Sequence, residues 1–103
     1  MEATLYLPQQ PPQIIAAEGL SLPDAVTGLV GVPELVPRLL GCAPGLVDIL
    51  ASGPQYVAYS IFDCEGDVNP GAMAAVGEVA GINFDLDDED SVLRGALLLV
   101  RRD

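Results

Sequence analysis

The chain has 103 residues, half of them hydrophobic, and a net charge of −11 set by fifteen acidic against four basic residues. That length suits one domain able to bury about 65% of the surface its unfolded form exposes, and the apolar half argues against disorder despite the charge. With four arginines, no lysine and no histidine, the chain lacks the basic footprint that phosphate contacts require, which excludes direct nucleic-acid binding.

Ala3, Thr4, Leu5, Tyr6 and Leu7 read as a short strand. The prolines at 8, 11 and 12 stop it, because they cannot donate to a ladder of hydrogen bonds, and Ile14 to Ala17 resume the pairing. Ser21 followed by Leu22, Pro23 and Asp24 has the form of a helix cap and acidic first turn, which predicts a short helix over residues 22–29 with Ala25, Val26 and Leu29 inward and Gly31 ending the unit. Residues 33–40 fit a kinked turn or a bent strand, since Pro37 disfavours a helical Val36 and donates no hydrogen bond. Residues 46–51, with Asp48 their only charge, read equally as a short helix or a buried strand.

The second half is more regular, holding one of the nine prolines. Tyr56 to Phe62 are mostly β-branched, aromatic or small residues between Gly53-Pro54 and an acidic turn, and neither face of the run is polar, so it reads as an interior strand. Asn69-Pro70 is a helix start: the Asn oxygen can cap free N–H groups, and Pro70 lacks the N–H that would need a partner. The helix runs to about Ala80, with Met73, Val76, Val79 and Ala80 inward and Gly81 as a left-handed stop. Ile82 to Asp87 alternate cleanly, which predicts a strand with Ile82, Phe84 and Leu86 on one face and Asn83, Asp85 and Asp87 on the other. Asp88, Glu89, Asp90 and Ser91 then turn the chain into a fully apolar strand over 96–100, which belongs inside a sheet. The expected fold is a single α+β domain over residues 1–103, with a mixed or antiparallel sheet of about four or five strands and two or three short helices.

An N-terminal strand with prolines, a helix-like segment from Leu20 to Gly31, a strand ending in the acidic turn from Asp63 to Gly66, the Asn69-Pro70 helix start and the final Arg94 to Val100 run together resemble a family of small phage and actinobacterial domains of unknown function. Residues 33–54 depart from that pattern. The resemblance implies a compact α+β domain and a phage or mobile-element origin, and it carries over no active site.

The residue types leave little for catalysis. Without His or Lys the reactive groups are carboxylates, two Cys, three Tyr and hydroxyls, and a pair such as Asp63 and Asp67 reads first as a solvated turn, so the chain is expected not to be an enzyme. Two clusters have oxygen ligands to offer a cation, one from Asp63, Glu65, Asp67 and Asn69 and one from Asp85 to Asp90. The second places Asp90 where a calcium loop needs glycine and Ala96 where it needs a bidentate glutamate, so no metal and no other cofactor is expected. Cys42 and Cys64 read as free thiols. No basic-flanked apolar segment precedes the first strand, and the apolar run near the end is only five residues long, so the expected protein is soluble, cytoplasmic and without a membrane partner.

What remains is acidity as a recognition device. On a strand, Asp85 and Asp87 would stand roughly 6.6 Å apart on one face, and Asp88, Glu89 and Asp90 would extend the row. Repeated negative charge at such spacing imitates a phosphate backbone. The expected partner is a basic protein surface, engaged by Asp85, Asp87, Asp88, Glu89 and Asp90 together with Asp63, Glu65 and Asp67. With the phage-like resemblance, this implies an inhibitor of a host defence or nucleic-acid-processing protein. The other reading is a small-ligand or metal-binding domain that uses the turn from Asp63 to Asn69, where helix N–H groups can hold an anion.

Overall fold

A strand without polar residues needs cover on both faces, and the computed structural model, which describes residues 1–85, 87–88 and 92–102, shows that cover. The elements are β1 (Glu2–Tyr6), β2 (Gln13–Ile15), α1 (Leu35–Leu40), a 3-10 turn (Pro44–Leu46), β3 (Val47–Gly53), β4 (Tyr56–Ile61), α2 (Pro70–Ala80) and β5 (Leu97–Arg101). The strands form one antiparallel sheet in the order β2-β1-β5-β4-β3, so the most apolar strand is the central one. The fold is α+β, as the sequence predicts.

Period-two alternation divides the central strands between two cores. Leu98 and Val100 of β5, Val57 and Tyr59 of β4, and Ala3 and Leu5 of β1 pack with Val36 and Leu40 of α1 and with Leu20. On the opposite face Leu97, Leu99 and Ala58 pack with Ala72 and Val76 of α2. The helices therefore sit on opposite sides of the sheet, which explains why neither face of β4 reads as polar. Tyr59 reaches beyond the first core to donate its hydroxyl to Gly31 O at 2.6 Å, and burial pushes its pKa up.

α2 begins and ends where the sequence predicts, with Asn69 accepting from Ala72 N and Gly81 left-handed at φ 70°. Its stripe holds Met73 and Val76 buried, joined by Ala72. Beyond Gly81 the chain folds back so closely that a Cβ on Gly77 would stand 2.9 Å from Ile82 O.

Four expectations are corrected. Residues 33–40 contain a helix, not a kinked turn or bent strand: Pro37 is the third helical residue, where an N–H has no partner within the helix to lose. Its carbonyl accepts from Gly41 N and Cys42 N and closes the helix at left-handed Gly41. Residues 22–29 form no helix. Asp24 spends its Oδ1 on the N–H groups of Val26 and Thr27, both at 2.8 Å, and Asp24 N bonds to Leu29 O, which makes a closed loop with Val26 and Leu29 exposed. Those hydrogen bonds hold the Asp24 carboxyl below its ordinary pKa. The segment from Ile82 to Asp85 is not a strand: Phe84 packs against the second core from an irregular chain that has no partner strand, and Ile82 is exposed. Phe62 lies outside β4 and is 62% exposed.

Residues 46–51, which fit helix or strand equally by sequence, belong mainly to β3, an edge strand with Asp48 and Ile49 exposed. Among the described residues no helix is long and apolar enough to cross a membrane.

Candidate functional site

The acidic turn after β4 is held on both sides. Asp63 leaves the strand with φ at 52°, a left-handed conformation that Asp tolerates better than most residues. Asn69 N then donates to Leu93 O at 2.8 Å, Gly95 N donates to Asp67 O at 2.9 Å, and Arg94 Nη1 donates to Gly66 O at 3.2 Å. These bonds tie the turn to the approach of β5 and leave Asp63, Glu65 and Asp67 exposed.

The second acidic segment is a turn as well. Asp87 N donates to Asp85 Oδ1 at 2.9 Å and Asp88 N donates to Asp85 O at 3.1 Å, so Asp85 caps its own local bend. Asp85, Asp87 and Asp88 are exposed, as a recognition surface requires, but the expected strand spacing is absent and the charges cluster around a bend. Glu89, Asp90 and Leu86 lie outside the described residues.

An open groove of about 480 Å³ lies beside the first turn, lined by Asp48, Ser60, Asp63, Cys64, Phe84 and Arg94 among others. Asp63 borders it from the first turn and Phe84 from the residue before Asp85, whereas Glu65, Asp67, Asp85, Asp87 and Asp88 do not line it. Asp48 and exposed Phe62 also line it, and sequence reasoning missed both. Asp48 reaches the groove because β3 pairs it with Ser60, a register that the order of residues does not disclose.

The start of α2 is closed by its own chain. Asn69 is buried, its Oδ1 accepts from Ala72 N at 3.3 Å, and its Nδ2 donates to Tyr6 O at 3.0 Å and Gly95 O at 2.8 Å. The candidate ligand Asn69 is thus engaged in the fold and turned away from the exposed acids of the turn. Among the described residues no three His, Cys, Asp or Glu side chains gather to hold a metal ion. Millimolar calcium or magnesium is therefore expected to raise the melting temperature by less than about 3 °C, the mass-action effect of weak binding. Thermal melts with each cation check this, and a large rise with a saturable calorimetric titration would instead identify a built site.

No protein-family model matches the chain, and no curated protein or solved structure matches it significantly.

Proposed function

We propose that the chain is a non-enzymatic binding protein whose acidic surface engages a basic, nucleic-acid-binding surface of another protein. The observation that carries this reading is the exposure of Asp63, Glu65, Asp67, Asp85, Asp87 and Asp88 on two turns, the first of which borders an open groove through Asp63. Two unit charges 4 Å apart in water repel by only about 1 kcal/mol, so such a surface is tolerated while solvated and gains when a partner's Lys or Arg neutralises it. A net charge of −11 adds long-range steering toward a basic partner. Turns of exposed carboxylates around apolar Phe62 and Phe84 also offer a partner both charge and some buried area. In its most concrete form the protein is an inhibitor, of phage or mobile-element origin, that occupies the nucleic-acid site of a host defence or processing protein. The alternative, a small ligand or metal held by the turn from Asp63 to Asn69, has less support because Asn69 Oδ1 already accepts from Ala72 N in the first turn of α2.

The test is a variant in which Asp85, Asp87, Asp88 and Asp90 are changed to Asn and Glu89 to Gln. Asp85→Asn keeps the side-chain oxygen that Asp87 N uses, so folding is expected to be retained. A partner captured from a host lysate by the wild-type chain should bind the neutralised variant roughly tenfold or more weakly, with the association rate falling first. Wild-type binding should weaken as salt rises, and duplex DNA should compete for the same surface. Equal, salt-insensitive affinities for the two chains would sink the reading.

A further inference from the structure

The two cysteines approach one end of the β3–β4 hairpin from opposite directions. β3 and β4 pair with Val47 opposite Ile61, and Phe62 N donating to Leu46 O at 2.7 Å extends the pairing by one step. Cys42 lies four residues before Leu46 and Cys64 two residues after Phe62. The chain between Cys42 and Leu46 does not run outward, because Leu46 N donates to Ala43 O at 2.9 Å and folds that stretch into a turn. On the other side Asp63, in its left-handed conformation, bends the chain back before Cys64. Both thiols are free and half-buried. Cys42 packs against the first core, as Ile61 does, and the Cys64 sulfur rests against Gly95, where a Cβ would crowd that sulfur and touch Ile61 Cδ1. Burial first, and then the neighbouring Cys64 sulfur, push the Cys42 thiol above its ordinary pKa.

We propose that Cys42 and Cys64 form a reversible intramolecular disulfide when the chain meets hydrogen peroxide or a small-molecule disulfide. With peroxide, one thiolate attacks the O–O bond, forming an S–O bond and releasing hydroxide, which leaves a sulfenic acid. The second cysteine sulfur then displaces that hydroxyl, which departs as water, and the S–S bond forms. Two thiols are oxidised and one peroxide is reduced to two waters. The link ties the end of α1 to the turn that carries Asp63, Glu65 and Asp67, so oxidation fixes that turn to the helix layer. A pair of thiols in a reducing compartment serves as a transient sensor and not as a permanent staple. The inference stands on the hairpin geometry and does not depend on the proposed binding partner.

The experiment oxidises the dilute full-length chain with hydrogen peroxide or oxidised glutathione and reads intact mass and peptide map without reduction. The expected product is a monomer that has lost two hydrogens, with the Cys42 and Cys64 peptides linked, a raised melting temperature and full reversal by dithiothreitol. A disulfide forms only when the Cα atoms come within roughly 7 Å, so the link itself reports the approach. In Cys64→Ser, oxidised glutathione should leave a stable adduct on Cys42, which in the wild type exchanges to the internal disulfide. Should that variant fail to fold, the wild-type peptide map decides alone. Two glutathione adducts on the wild type, a disulfide-linked dimer, overoxidised sulfurs without a cross-link, or no reaction would each overturn the proposal.

Discussion

Leu98→Asp is expected to abolish folding at ordinary temperature. Leu98 is fully buried in the central strand, opposite Leu5 on one side and Tyr59 on the other, and it packs in the core that α1 covers. A carboxylate there loses its hydration with only aliphatic groups and the Tyr59 ring near it in register, a cost of several kcal/mol that adds to the lost packing. A domain of this size has about 5–15 kcal/mol of stability in total. Leu98→Ala separates the two causes: the cavity alone should cost roughly 2–5 kcal/mol and leave a cooperative, lowered melt. Circular dichroism melts of both variants check the expectation. A cooperative Leu98→Asp transition near that of the wild type would mean that β5 is not the centre of the sheet.

The parts of the fold that were legible are those in which one residue type has a single use. The apolar run of β5 admits only a doubly covered strand, and Asn69-Pro70 admits little but a helix start. Where one pattern serves two structures, the reading failed. Pro37 breaks a helix at an interior position and is harmless at the third, and the sequence does not mark where the helix begins. Asp24 looks like an acidic first turn, but its side chain caps a loop because Gly28, at φ 73°, lets the chain close on Leu29. The alternation from Ile82 to Asp87 suggests a strand, but among its described residues only Phe84 packs against apolar surface, from an irregular chain, while Ile82 is exposed. The candidate surface was legible as charge and illegible as geometry. Exposure of Asp63, Glu65, Asp67, Asp85, Asp87 and Asp88 follows from their hydration, whereas the groove beside the first turn depends on the β3–β4 register and on the bridge between Val68 and Arg94.

That same bridge sets the stakes at Asn69, where Asn69→Ala is expected to cost about 2–5 kcal/mol, more than a helix cap alone contributes. The sequence argues for a cap worth roughly 0.5–2 kcal/mol, and the bond from Ala72 N to Asn69 Oδ1 is that cap. The amide also donates to Tyr6 O at the end of β1 and to Gly95 O at the approach to β5, so one buried side chain clasps three elements. Removing it leaves two carbonyls short of a donor in a part-buried site and opens a void beside them. At about 4–8 °C per kcal/mol for a domain of this length, the melting temperature should fall by roughly 10–40 °C. Pro70→Ala should do much less, since it restores an N–H at a position that needs none. Asn69→Asp separates clasp from cap. In an isolated helix Asp caps as well as Asn, but here it brings a carboxylate against Tyr6 O and Gly95 O with no proton to donate at neutral pH. It should therefore destabilise at least as much as Ala, and should recover part of the loss as falling pH protonates it. An Asn69→Asp chain that melts like the wild type at neutral pH would reduce Asn69 to an ordinary cap, with no side-chain clasp from the start of α2 onto β1 and β5.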